Sequence, residues 1–147
     1  LPWAYLQLSS LEKKNVDINE ASAVLAGAAR AYQGIEKAIV TASLPSRPLD
    51  SLTPLERAVR LSVHPGRSGH VFIHMKPNWY KTTSAAGHGT FHRYDTHVPL
   101  IFFGRPFKAG RIGDGVHVRD LAPTLAKALD MPPPGLATGV ALDAAMK

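Results

Sequence analysis

Residues 88–104 read HGTFHRYDTHVPLIFFG. The first ten positions hold three imidazoles and a carboxylate: His88, His92, Asp95 and His97. Residues 98–103 are nearly all apolar, which reads as a buried strand. A polar loop that runs straight into such a strand has one end fixed by a rigid element, which suits a site built at a strand edge. Neutral imidazole is the commonest zinc ligand, and a carboxylate can bind the metal or orient the ring. Three histidines in a surface loop can equally be solvated side chains. The i,i+4 spacing of His88 and His92 does not make a zinc-binding helix, because Gly89 and Thr90 disfavour helix and no Glu follows His88.

Upstream of this stretch the pattern alternates between strand and helix. Residues 3–8 (WAYLQL) are β-prone and read as a strand. Asp17 and Glu20 have the spacing of a capping box. From there Ile18, Ala21, Val24, Leu25, Ala28 and Tyr32 recur on one helical face, and Gly34 is placed to stop the helix. Residues 35–42 read as the next strand. After a Pro- and Ser-rich connection, Thr53-Pro54-Leu55-Glu56 starts a helix that ends near Ser62: Thr as cap, Pro at the first position, Glu at the third. Residues 64–69 turn, and residues 70–75 alternate as a strand. Residues 76–97 have no periodicity and form a long loop, a length usually reserved for function or disorder. Downstream, residues 116–118 add a short strand, and Asp120 caps a helix through Leu129 with Pro123 in its first turn. About five strands interleaved with helices define a mixed α/β class.

The chain has 147 residues, 45% of them hydrophobic, which suits a single domain over 1–147 with a real core. No apolar run reaches about 18 residues, so no membrane-spanning helix is expected. The chain opens LPWAYLQL, without a basic segment, a cleavage site or Met, as an excised fragment or a processed product would. With no cysteine, disulfides and thiolate zinc sites are excluded and the compartment stays open. The formal charge of +6 favours anionic partners. The basic residues are scattered, with no aromatic-interleaved run, so nucleic acid is not expected as the partner. His70 and His74 share one face of a strand and read as packing or surface groups. Ser68 is not in a nucleophile elbow, and no Walker loop or dinucleotide fingerprint is present.

Residues 88–104 closely resemble the HG…YDTHVPL-F-G signature of the phosphodiesterase and nucleotide-pyrophosphatase-like branch of the alkaline phosphatase superfamily. Arg67-Ser68-Gly69, a strand, and then Lys76-Pro77-Asn78-Trp79-Tyr80 resemble that branch's next block upstream. Asp120-Leu121-Ala122-Pro123-Thr124-Leu125 resembles its D-APTL helix. The resemblance runs over roughly residues 3–143 and implies the C-terminal portion of an α/β sandwich, with a mixed sheet and flanking helices. It further implies a phosphoric ester hydrolase with two zinc ions and a Thr or Ser nucleophile. Two metals can stabilise both the attacking and the leaving oxygen, and the nucleophile forms a covalent phospho-enzyme. His88 matches the family's last metal ligand, and His97 is second choice. Tyr94 and Asp95 would shape the loop. The implied partner is an anionic phosphate ester, and the implied location is periplasmic or secreted.

The departures bear on activity. The chain has no Asp-x-x-x-His, no Asp-His dipeptide and no nucleophile block, and His70 stands where the family has Asp. Thr90-Phe91-His92 replaces the usual Ser-Pro-Tyr. One ligand of about six or seven is present, so the isolated chain is expected to bind metal poorly, to hydrolyse nothing, and to be able to self-associate where apolar surface is left bare. The alternative is a non-catalytic, degenerate copy of the family kept for binding or assembly.

Overall fold

The computed structural model describes residues 2–80, 86–113 and 115–147. These form two compact units, residues 1–98 and 99–147. In the first, β3 (Val71–Met75) is the middle of a three-stranded sheet, with β1 (Trp3–Ala4) on one side and β2 (Ile35–Val40) on the other. Both pairings are antiparallel. A central strand buries both faces, and its side chains alternate between them. Val71 and Ile73 therefore pack into one cluster with Ala26, Ala29 and Ala38. Phe72 packs into a second with Leu44, Leu52 and Val59. Helix α2 (Ile18–Arg30) supplies the small residues of the first cluster, and α3 (Pro54–Ser62) supplies Val59 to the second. Helix on both faces of a sheet is the expected α/β arrangement.

Both helices begin where the sequence indicates. The Asp17 carboxylate accepts the amides of Asn19 at 2.8 Å and Glu20 at 3.0 Å. Thr53 and Glu56 form the reciprocal capping box with Pro54 at the first helical position. Gly69, of the Arg-Ser-Gly block, lets the chain pass against β1: a Cβ there would lie 2.7 Å from the Ala4 carbonyl oxygen.

Several local readings are corrected. The strand expected over residues 3–8 is only Trp3–Ala4, and Leu8–Lys13 form a short helix, α1. Helix α2 stops at Arg30, so Gly34 is not its terminator; it is small because Trp79 lies on it, and a Cβ would be 2.4 Å from that ring. Residues 98–103 form no strand. Ile101 is 81% exposed and Phe103 fully exposed, with no sheet partner among the described residues. Residues 116–118 form none either, and Val118–Asp120 make a 3-10 turn. Three strands are therefore seen among the described residues, not five, and the expected mixed sheet is antiparallel.

The second unit is built around buried polar groups. Asp120 does not cap α5 (Leu121–Ala128); its carboxylate accepts the amides of His117 at 2.8 Å and Val140 at 3.0 Å. Those two amides, His117 before Val140, hold its carboxyl below the usual carboxylate range. Thr124 is fully buried; its hydroxyl donates to the Asp120 carbonyl and accepts the Leu142 amide at 3.0 Å. The D-APTL block thus ties the C-terminal segment to α5.

Candidate functional site

The loop after β3 is fastened at several points. Phe91 packs into the Leu44, Leu52, Val59 and Phe72 cluster, its ring 5.6 Å from that of Phe72. The His92 Nε2 lies 2.8 Å from the Met75 carbonyl. One turn of helix, α4 (Arg93–Thr96), then turns Asp95 back onto the loop. Its Oδ2 accepts the Thr90 hydroxyl at 2.6 Å and the Thr90 amide at 2.8 Å. The hydroxyl first, and then the amide, hold the Asp95 carboxyl below its ordinary range. Tyr94 accepts the Asn78 amide on its hydroxyl at 3.2 Å. Gly89 has φ +100°, a conformation that side chains with a Cβ rarely adopt.

His88, like Tyr94, is exposed. It lines an open cleft of about 240 Å³ together with Trp79, Tyr80, Thr90, Tyr94 and Asp95. Gly87 before it leaves room for Tyr80, whose hydroxyl would lie 1.6 Å from a Cβ at 87. His97 is exposed and does not line this cleft. Of the four polar residues singled out in sequence, the cleft therefore gathers His88 and Asp95. Asp95 has one carboxylate oxygen committed to Thr90, and His88 is the imidazole that lines the cleft.

A second group was not anticipated. Glu36, His74 and His92 bring their donor atoms within 4.8 Å of one another. The pairing of β2 with β3 is bulged between Ile35 and Lys37, so Glu36 is the extra residue opposite His74. The Glu36 Oε2 stands 3.7 Å from the His74 Nε2. His74 is buried, which is the main reason its pKa is lowered; His92 and Lys37 lower it further, and Glu36 offsets them in part. His70, assigned with His74 to packing, does pack: its Nδ1 accepts the Leu6 amide at 2.9 Å. His74 packs too, buried beside Phe72, and in addition it faces Glu36 and His92. Antiparallel pairing of the two expected strands would have placed the segments side by side, but nothing in the sequence announces the bulge at Glu36.

Sheet, flanking helices and fastened loop together form one portion of a larger α/β fold. In sequence and fold the chain is related to the alkaline phosphatase superfamily, as residues 88–104 imply. No family model matches it. It is 35% identical over 74 residues, half of this chain, to alkaline phosphatase PhoV of Synechococcus elongatus, and 35% identical over 66 residues, 43% of this chain, to a calcium-transporting ATPase of Myroides odoratus. These stretches span 14% and 12% of the two relatives. Alkaline phosphatase PafA of Elizabethkingia meningoseptica matches at 35% over 75 residues, half of this chain and 14% of that one. The crystal structure of wild-type PafA superposes on 99% of this chain with a TM-score of 0.85 and 20% identity, and shows the same fold over 28% of its own length. The chain thus corresponds to a minor part of each relative.

Proposed function

We propose that this chain is the C-terminal part of a metal-dependent phosphoric ester hydrolase, its two units belonging to one catalytic domain. In this reading His88 is one ligand of a two-zinc site, and the Thr or Ser nucleophile and remaining donors lie on polypeptide outside these residues. The observation that carries the reading is the placement of His88. It is an exposed imidazole at a cleft, on a loop fastened on its C-terminal side by Phe91, His92 and the Asp95–Thr90 bonds. The relatives' names concern phosphate chemistry: two alkaline phosphatases and an ATPase.

The residues present fit one ligand position of such a centre and no more. A zinc bound there would supply Lewis-acid stabilisation of phosphoryl oxygens. The chain's own part is to present the His88 ring, held by the Asp95 clamp, and to line the approach with Trp79, Tyr80 and Tyr94. One imidazole does not hold zinc tightly, so the isolated chain is inactive in this reading. The substrate is an anionic phosphate ester, and neither nucleic acid nor membrane is a partner. The exposed Ile101, Phe103 and Leu136 favour self-association of the separate chain. No helix among the described residues is long and apolar enough to cross a membrane, and a periplasmic or secreted parent follows from the resemblance alone.

The test uses the longer polypeptide that joins this chain to a nucleophile segment. With an aryl phosphate as substrate, His88→Ala should cut kcat/KM by at least ~100-fold, since loss even of a metal ligand's supporting partner costs 10–100-fold. His97→Ala should leave it near the parent's. Equal, mild losses from both would remove His88 from the site. A parent polypeptide that hydrolyses no phosphate ester would favour the non-catalytic, degenerate module instead.

A further inference from the structure

Glu36, His74 and His92 come from β2, β3 and the loop beyond, three segments with no local reason to meet. Specific contacts hold two of them in place. A carbonyl oxygen can only accept, so the contact between the His92 Nε2 and the Met75 carbonyl at 2.8 Å puts the proton on Nε2. The His92 Nδ1 then carries a lone pair. An imidazole N–H held on a backbone carbonyl, with the other nitrogen free, is the usual arrangement of a metal-binding histidine. The bulge in β2 turns Glu36 to the side of His74, and bulges commonly re-aim a side chain in this way. The His74 Nε2 faces the Glu36 carboxylate at 3.7 Å. Donors on one tetrahedral zinc stand ~3.3 Å apart for bonds of 2.0–2.1 Å, so this pair needs to close by only a few tenths of an ångström.

Simple packing accounts for part of this geometry. The two imidazole rings lie 4.5 Å apart between centroids, and Phe72 and Tyr94 flank them. Packing alone does not explain why a partly exposed carboxylate turns toward two imidazoles. Burial lowers the pKa of His74, which favours the neutral ring. Lys37 is the one cation acting on His74 from β2, and it opposes a bound metal through space.

We propose that Glu36, His74 and His92 form a binding site for one divalent transition cation of the zinc, cobalt or nickel class, with water completing the shell. Two nitrogen donors and one carboxylate select such ions over magnesium and calcium, which prefer all-oxygen shells. The bound ion would pin the loop carrying His92 to the β2–β3 pair. None of the three donors is His88, so this site stands or falls separately from the proposed hydrolytic centre.

The experiment is a titration of the metal-stripped 147-residue chain with cobalt(II) chloride, read by visible d–d absorption, with competition by zinc chloride. The expected result is one equivalent bound with the spectrum of a low-coordinate cobalt ion, displaced by zinc and not by millimolar magnesium. Glu36→Gln and His92→Phe should each weaken binding at least ~10-fold, and His88→Ala should leave it unchanged. Far-ultraviolet circular dichroism checks that the variants fold; Glu36 is partly exposed, so Glu36→Gln alone decides if His92→Phe unfolds. No cobalt spectrum at millimolar metal, affinity unchanged in Glu36→Gln, or loss that follows His88→Ala instead would each overturn the proposal.

Discussion

Replacing Glu56 by Gln tests how the loop's foundation is held. Glu56 closes the capping box of α3: its Oε2 accepts the Thr53 amide at 2.9 Å and the Thr53 hydroxyl at 2.8 Å, and its Oε1 meets Arg47 at 2.6 Å. The Arg47 guanidinium, then the Thr53 amide and hydroxyl, lower its pKa from 4.5 to about 2. At about 1.4 kcal/mol per pH unit that fall is worth ~3 kcal/mol at face value. Arg47 is 39% exposed, and solvent screening reduces the figure to ~1–2 kcal/mol, in line with ~1 kcal/mol for a helix cap. The folded pKa lies below the unfolded one, so the stabilisation is complete above about 4.5 and is lost as pH falls toward 2. Urea unfolding of the parent and Glu56→Gln chains should differ by ~1–2 kcal/mol at pH 7 with equal slopes. The difference should shrink steadily below pH 4.5. A gap that stays constant down to pH 2.5, or no gap at pH 7, would show that the carboxylate's charge does not hold α3. The consequence reaches the candidate site because α3 supplies Val59 to the cluster that seats Phe91.

Two further outcomes are expected. Thr124→Val keeps the shape but removes the hydroxyl that accepts the Leu142 amide; leaving that amide unpaired should cost ~1–3 kcal/mol in urea unfolding, and a variant as stable as the parent would refute the bond's role. The Thr90 amide resonance should titrate with a midpoint below the ordinary Asp value of 3.8, because Asp95 is held down by that amide and its hydroxyl; a midpoint at or above 3.8 would mean that the clamp does not form in solution.

What could be read in the sequence was what neighbouring residues decide among themselves. Asp17 with Glu20, and Thr53 with Glu56, mark helix starts through bonds that span three residues, and both starts are found where expected. Residues 98–103 fail for the opposite reason. An apolar run becomes a strand only if another strand offers its backbone, and composition carries no information about the partner. The bulge at Glu36 depends on how β2 meets β3, so the second histidine group was hidden even though all three of its residues were in plain view. Asp120 was misread because its carboxylate serves the amide of Val140, twenty residues away, and not the helix that follows it.

The loop that carries His88 shows how these local and distant contributions combine. A ligand must be presented to a metal in a set position, yet its own ring must stay free of competing contacts. For the role proposed for His88, the chain fastens the residues that follow it. Phe91 enters the core, His92 is bonded to the Met75 carbonyl, and Asp95 reaches back to Thr90, while Gly89 absorbs the backbone turn that no larger residue takes readily. Supporting groups of this kind hold a functional side chain's orientation without touching its ligand. It follows that Thr90 and His92 act on His88 through the course of the backbone, and Asp95 acts on it through its charge as well. Under the proposed role of His88, a substitution at any of them should lower kcat/KM of the longer polypeptide by misplacing His88, and a conservative side chain that restores the lost bond should recover it, whereas no substitute for the imidazole at 88 itself should do so unless it also donates to metal.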